Sequence, residues 1–248
     1  MHSSNPALRE ETFTGFRRVN SVDAMTVGGV IFKTLLSLCL VMLSAGWVWM
    51  KFYQSGGDVS VVSPWMWGGM FGGLIIAMVT IFKKEWAPIT APLYALVEGL
   101  VIGGLSSMFE ASYPGIVIQA VSLTFGTLFV MLAAYSTGWI KVTEKFKLGV
   151  VAATGGIFVF YLIGIVLSFF GVTMPLVYSS SLFGILFSLF VVVVAALNLV
   201  MDFDFIEQGA EHGAPKYMEW YASFALMVTL IWLYIEFLRL LSKIQSRN

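Results

Sequence analysis

The stretch VVVVAALNLVMDFDFIEQG, residues 191–209, joins a long apolar run to a group of acids. A helix needs about 20 apolar residues to cross the hydrocarbon core of a bilayer, and this run is of that kind. Asp202 and Asp204 stand at its end, with Glu207 close behind. Either the helix has simply reached water there, or these carboxylates handle a cation or a proton.

The composition of the whole chain is that of an integral membrane protein. Of its 248 residues, 58% are hydrophobic and 11% are charged, whereas a soluble domain carries about 25% charged residues. We therefore expect the lipid bilayer as its surroundings. The formal net charge is zero, which gives no reason to expect nucleic acid as a partner.

The residues that most enzymes and metal sites need are scarce. Cys39 is the single cysteine, so no intrachain disulfide can form, and both histidines lie in polar segments. A zinc cluster, a nucleophile with its base, and a convincing pair of catalytic aspartates are not recognisable in the sequence. We expect neither an enzyme nor a cofactor.

Seven apolar runs are candidates for membrane spans. They are continuous rather than alternating, which favours helices over barrel strands and predicts an all-α integral membrane protein. The sequence shows no internal repeat, so an inverted-repeat transporter is not supported. The predicted spans are Val30–Met50, Trp65–Phe82, Pro88–Phe109, Tyr113–Tyr135, Leu148–Gly171, Ser179–Met201 and Trp220–Leu241.

These spans divide the chain into a polar N-terminal segment (1–29), a transmembrane domain (30–241) and a short basic tail (242–248). The N-terminal segment is too long and too acidic for a secretory signal, so we expect no cleaved leader. Ten basic residues fall on one side of the spans: Arg9, Arg17, Arg18, Lys33, Lys83, Lys84, Lys141, Lys145, Lys147 and Lys216. Four fall on the other side: Lys51, Arg239, Lys243 and Arg247. The positive-inside rule then predicts a cytoplasmic N terminus.

Small residues at helical spacing predict where helices approach each other closely. The pairs are Gly68/Gly72, Gly69/Gly73 and Gly99/Gly103. Their expected role is packing alone.

Two acids lie well inside predicted spans, where an ionisable group is costly and by default suggests function. Glu98 is in the middle of the third span and Glu236 is deep in the seventh. Each has a structural alternative. Glu98 could be a hydrogen-bonded packing residue, and Glu236 could pair with Arg239 one helical turn further on.

The depth of Asp202 depends on where the sixth helix ends. Gly209 is a suitable C-cap, so the helix is predicted to run to about Gln208, with Asp202 some 10 Å inside that end. Asp204 points to another face of the helix. For Asp204, Glu207 and Glu211 we expect a solvated cytoplasmic rim.

Several segments together resemble the Bax inhibitor-1 (transmembrane Bax inhibitor motif) family. MDFDFIEQGAEHG is similar to the sixth-helix signature of that family, with Asp202 at its aspartate. WLYIEFLRLL resembles the seventh-helix segment, which would make Glu236 the second acid, and ALVEGLVIGG resembles the third-helix segment containing Glu98. SSNPALREETF and APKYMEWYASF are similar to a bacterial subgroup, which implies the bacterial inner membrane.

The resemblance implies a fold and an activity. It implies a monomer with six helices around a central C-terminal helix. It also implies a pH-sensing pair of carboxylates that gates a cation path, with calcium as the transported ion. Asp202 and Glu236 would form the pair, with Glu98 in the path and Arg239, Asn198 and Asp204 in support. Other members are described as cell-death regulators or as partners of a membrane protease.

The sequence departs from the family pattern in ways that leave alternatives open. The threonine and glutamine that follow the family's first aspartate are replaced in MDFDF, and the second helix lacks the family's arginine, for which Arg239 could substitute. Glu236 lies about 30 Å along a helix that starts near Lys216, too deep to meet Asp202 directly. A shorter register places Met227 or Thr229 opposite Asp202, without a pair. Alternatively, Asp202, Glu98 and Glu236 form an acidic ladder.

Two functions therefore compete. The first is a pH-sensitive calcium leak channel, and the acids within the predicted membrane spans are the observation that supports it. The second is a non-enzymatic regulator that binds another membrane protein, such as a membrane protease or a cell-death or stress factor. The glycine-rich faces and the acidic loop EQGAEHGAPK would serve the second function. No metal site is assigned in either case.

Overall fold

A computed structural model describes residues 24–171 and 179–247 of the chain. These residues form seven helices that are long and apolar enough to span a membrane, which confirms the prediction of an all-α integral membrane protein. The helices are α1 (Val27–Gln54), α2 (Val59–Phe82), α3 (Ala87–Ser112), α4 (Ile116–Ser136), α5 (Glu144–Phe169), α6 (Leu182–Glu211) and α7 (Met218–Gln245). Arg9, Arg17 and Arg18 lie outside the described residues, together with most of the predicted N-terminal segment.

Most helix ends lie a few residues away from the ends of the predicted spans, and two of these differences involve a proline or a glycine. The second helix begins at Val59 instead of Trp65, so Pro64 lies inside it. Pro64 is the sixth residue of this helix, just beyond the first turn in which N–H groups have no partner within the helix, so it removes one backbone hydrogen bond near the helix start. The sixth helix runs past Gly209 to Glu211, because Gly213 and not Gly209 adopts the left-handed conformation (φ 66°) that ends it.

The described residues divide into two compact units. Unit A comprises residues 24–114 and 205–228, and unit B comprises residues 115–171, 179–204 and 229–247. Helices α1, α2 and α3 belong to unit A, and helices α4 and α5 to unit B. Both α6 and α7 contribute residues to each unit.

In unit A, α1 and α2 both pack on α3. A methyl group at Gly99 or Gly103 would overlap the backbone of Val41 or Ala45 on α1, and one at Gly69 would lie 2.9 Å from the carbonyl oxygen of Val97. The close helix contacts predicted from these glycines are therefore present. Gly68 differs, since a methyl group there would meet nothing within 4 Å.

Unit B has an apolar core where α5, α6 and α7 meet. Ile157, Val191 and Val194 are buried together, and Tyr161 and Trp232 pack against them. The side chains of Tyr161 and Trp232 also form hydrogen bonds with Glu236 of α7, which is described below.

Burial differs strongly between the helices. In α7, 72% of the most apolar 18-residue stretch is buried, whereas in α5 the corresponding fraction is 11%. The poorly buried helices present large apolar side chains such as Phe158 and Val159 on their outer faces, as expected for a protein surrounded by lipid. The arrangement of six helices around α7 remains a prediction.

Candidate functional site

Asp202 is buried inside α6 with only one of its two oxygens satisfied. The residue is 2% exposed. Its carboxyl group accepts a hydrogen bond from the hydroxyl of Thr229 on α7. The other oxygen, Oδ2, has no hydrogen-bond partner among the described residues. A buried polar atom without a partner is costly, and in native proteins it calls for an explanation such as a bound ion or a catalytic role.

Asn198 lies one helical turn before Asp202 on the same face of α6. Its amide donates to the hydroxyl of Thr154 on α5 (2.8 Å) and to the carbonyl of Val194 in its own helix (2.8 Å). These bonds hold the amide group away from a role as a donor to Asp202. Asn198 therefore connects α6 with α5 one helical turn from Asp202, and a role for it in supporting the acid stays a prediction.

Glu236 has a different environment, in which its carboxylate is well satisfied. Its Oε1 accepts from the Tyr161 hydroxyl (3.1 Å) and from Arg239 Nη1 (2.8 Å), and the Trp232 side chain adds a further bond. Arg239 also donates to the Tyr161 hydroxyl (2.6 Å) and lies 5.0 Å from the centre of its ring. The predicted pairing of Glu236 with Arg239 one turn on is confirmed.

A second cation stands further along the same face of α7. Lys243 is 4% exposed, and its ammonium group donates to the carbonyl of Gly184 (3.0 Å) and the hydroxyl of Ser188 (2.8 Å), both on α6. The sequence prediction placed Lys243 in the short basic tail (242–248). The charged groups Glu236, Arg239 and Lys243 instead join α7 to α5 and α6 within unit B.

The structure does not bring Asp202 and Glu236 together. Thr229, the partner of Asp202, precedes Glu236 on α7 by two helical turns, or about 10 Å. The partners of Glu236 are Tyr161, Trp232 and Arg239. The shorter register, in which Thr229 stands opposite Asp202 and no carboxylate pair forms, is the one observed.

Glu98 is bound within its own helix. The Tyr94 hydroxyl, one turn earlier on α3, hydrogen-bonds to the Glu98 carboxyl group, and Glu98 lies beside Gly73 of α2. This arrangement fits the packing alternative. Glu98 belongs to unit A, whereas Asp202 and Glu236 belong to unit B, so the acidic ladder remains a prediction.

The acids after Asp202 differ in exposure. Glu207 and Glu211 are exposed, as expected of a solvated rim. Asp204 is half-buried and forms a 3.2 Å ion pair with Lys147, near the start of α5. Its role in the structure is thus to connect α5 with α6.

Glu219 is a buried acid that the sequence analysis missed. It is fully buried at the start of α7 and accepts from the Thr26 backbone N–H (2.9 Å), the Thr26 hydroxyl (2.8 Å) and Lys216 (2.8 Å). Lys33 of α1 completes the set of donors. An acid in the first turn of a helix is common for electrostatic reasons, so the sequence carried no signal that this one is enclosed.

The described residues offer no ready-made metal centre, since no three of their His, Cys, Asp and Glu side chains cluster together. Calcium in a stable site takes 6–8 oxygen ligands.

Comparison with known proteins gives one family. A family model described as Bax inhibitor 1 like matches residues 5–246, a range that includes all seven helices. No curated protein and no solved structure was found to match the chain. The matched range contains Asp202, Thr229 and Glu236.

Proposed function

Because the chain belongs to the Bax inhibitor 1 like family, we propose that it is a pH-sensitive cation leak channel with calcium as the transported ion. The observation that carries this proposal is Asp202, a buried acid in a membrane-spanning helix with one oxygen unpartnered. The gating group is this single carboxyl group, held by Thr229, in place of a carboxylate pair.

The resting contact is the hydrogen bond from Thr229 to Asp202. With a proton on Oδ2, the carboxyl group is neutral and α6 and α7 stay in contact around it. Loss of the proton leaves a carboxylate with one uncompensated oxygen in apolar surroundings, which is unfavourable. Water or a cation must then reach Oδ2, and the α6–α7 contact opens to admit it.

A single carboxylate suits a cation leak better than it suits a site that binds calcium tightly. Conduction requires a site that attracts the cation yet releases it readily. Asp202 supplies charge, and within the described part of the chain it does not belong to a cluster of three or more acidic, histidine or cysteine side chains that could hold calcium firmly. Transport is therefore slow, passive and dependent on how often the contact opens.

Glu236 has a structural role in this proposal. Its carboxylate is compensated by Arg239 and hydrogen-bonded by Tyr161 and Trp232. A group satisfied in this way stabilises the packing of α7 on α5. Glu98, bound by Tyr94, is likewise assigned to packing.

We place the protein in the inner membrane of a bacterium, with its N terminus in the cytoplasm. In unit A, Lys33 and Lys216 both bind Glu219, and Lys84 lies 5.6 Å from the centre of the Tyr221 ring near the start of α7. Three of the ten basic residues assigned to the cytoplasm thus gather at one end of that unit.

A reporter that is active only in the periplasm, fused to the C terminus, should be active if seven spans cross the membrane.

The proposal is tested by calcium flux into liposomes that hold the purified protein. Wild type should carry calcium above the rate of protein-free liposomes, and Asp202→Asn should change that rate. If wild type carries no calcium and instead copurifies with one defined membrane protein, the non-enzymatic regulator is the better description. Hydrolysis of a substrate by the purified protein would contradict both.

A further inference from the structure

Buried hydroxyl groups in these helices differ in whether they have a hydrogen-bond partner. Thr80, Thr90 and Thr124 each donate to the carbonyl four residues earlier in the chain, at 2.7–3.1 Å. This local bond is the usual solution for a threonine or serine in an apolar helix. Thr34 and Ser37 on α1, and Ser223 on α7, are as deeply buried yet make no hydrogen bond to the described part of the chain.

These three hydroxyls lie within about one helical turn of Lys33 on α1 or of Glu219 on α7. Ser37 is four residues after Lys33, and Ser223 is four residues after Glu219. Residues four apart share a helix face, so each serine lies about 6 Å deeper than its charged neighbour on the same face. Lys33 and Glu219 form an ion pair between α1 and α7, so Ser37 and Ser223 lie on the helix faces that carry this pair. Thr34, three residues before Ser37, is also on that face of α1.

Tyr221 does not belong to this group. Its hydroxyl also lacks a hydrogen-bond partner among the described residues. However, two residues after Glu219 it points to another face of α7, where its ring meets Lys84, Phe205 and Phe224.

Glu219 lies at the start of α7, one helical turn before Ser223, and is surrounded by polar groups. Thr26, Lys33 and Lys216 surround its carboxylate, and Gly29 leaves room for it, because a methyl group there would overlap the carboxylate atoms. Lys33 also lies 5.5 Å from the centre of the Trp220 ring. A polar closure of this kind can open to water without exposing apolar surface.

We propose that Thr34, Ser37 and Ser223 line an internal water-binding pocket between α1 and α7, closed at its outer end by the Lys33–Glu219 ion pair. Buried hydroxyls without protein partners are satisfied by water in native structures. Three such groups on these helix faces supply the two or more polar partners that a buried water needs. The pocket lies wholly within unit A and does not depend on the proposed transport of cations.

The test uses thiol reactivity in membranes. In a Cys39→Ser background, Ser37→Cys and Ser223→Cys are treated with a small, positively charged methanethiosulfonate reagent, which needs water to reach a thiol. Both should react. Val48→Cys is the matched control, since Val48 is equally buried on α1 but packs with Phe52 and Val62 in apolar surroundings. If the two serine positions react no faster than position 48, the pocket is dry and the proposal is overturned.

The closure is tested in the same assay. Glu219→Gln should raise the reaction rate at position 37 about tenfold, the effect of weakening one charge-assisted bond. Lys33→Gln removes the other partner of the ion pair and replaces Glu219→Gln in the test if that variant does not fold. An unchanged rate in a folded variant of either kind would overturn the role of the ion pair. Calcium flux has no part in this readout, so a failed channel proposal leaves the result interpretable.

Discussion

Asp202 on α6 accepts a hydrogen bond from Thr229 on α7 and does not pair with Glu236. The two acids that sequence reasoning joined therefore occupy separate environments in unit B. Asp202 has an unpartnered oxygen, whereas Glu236 is enclosed by Tyr161, Trp232 and Arg239. This contrast is the reason for assigning gating to the first acid and packing to the second.

The Asp202–Thr229 contact should be measurable as a coupling energy. Hydrogen bonds between membrane helices contribute about 0.6 kcal/mol on average and up to about 1.7 kcal/mol. A double-mutant cycle with Thr229→Val and Asp202→Leu, followed by unfolding in detergent, should give a coupling in that range. Additive effects would show that the contact does not stabilise the protein.

Placing a second acid at position 229 should create the pair that the wild-type chain lacks. Two adjacent carboxyl groups in low dielectric cannot both ionise cheaply, so they share a proton. In Thr229→Asp, raising the pH removes that proton and adds repulsion, so thermal stability should fall more steeply with rising pH than in wild type. Thr229→Asn introduces a side chain of the same size as aspartate but without a charge, so this variant should not show the steeper fall.

The Glu236 cluster should behave as a structural ion pair. Removing one partner of a buried pair leaves an uncompensated charge and costs about 3–5 kcal/mol. Because the Arg239 side chain is 30% exposed, we expect Arg239→Gln to fall near the lower end of that range. The double variant Glu236→Gln with Arg239→Gln should be more stable than Arg239→Gln alone. Thermal unfolding in detergent would show the order, and equal stability of the two would contradict this reading.

Two adjacent glycines at the start of α1 provide an internal control for the Glu219 site. A methyl group at Gly29 would overlap the Glu219 carboxylate, whereas one at Gly28 would meet nothing within 4 Å. Gly29→Ala should therefore lower thermal stability. Gly28→Ala should not lower thermal stability, because the added methyl group has room and alanine favours the helical conformation more than glycine does. A loss of the same size in both variants would argue against a tight fit around Glu219.

The sequence was sufficient for the seven helices because long apolar runs have few other solutions in lipid. Side-chain partners could not be predicted in the same way. Helices α6 and α7 are apolar on nearly every face, so periodicity does not indicate which residue of α7 meets Asp202. Tyr161 looked like one more aromatic residue in an apolar run, and Glu219 looked like an ordinary first-turn acid. Only the packed structure shows that each contacts a charged group.

The central claim is that Asp202 alone makes the leak pH-sensitive. The direct measurement is calcium flux into liposomes at about pH 6 and pH 8, both above the pH at which an exposed carboxyl group titrates. Wild type, Asp202→Asn and Glu236→Gln are compared after each is shown to be folded. We predict a pH-dependent flux in wild type and Glu236→Gln, and a flux in Asp202→Asn that is the same at both pH values. A pH dependence that survives in Asp202→Asn, or is lost only in Glu236→Gln, would contradict the account.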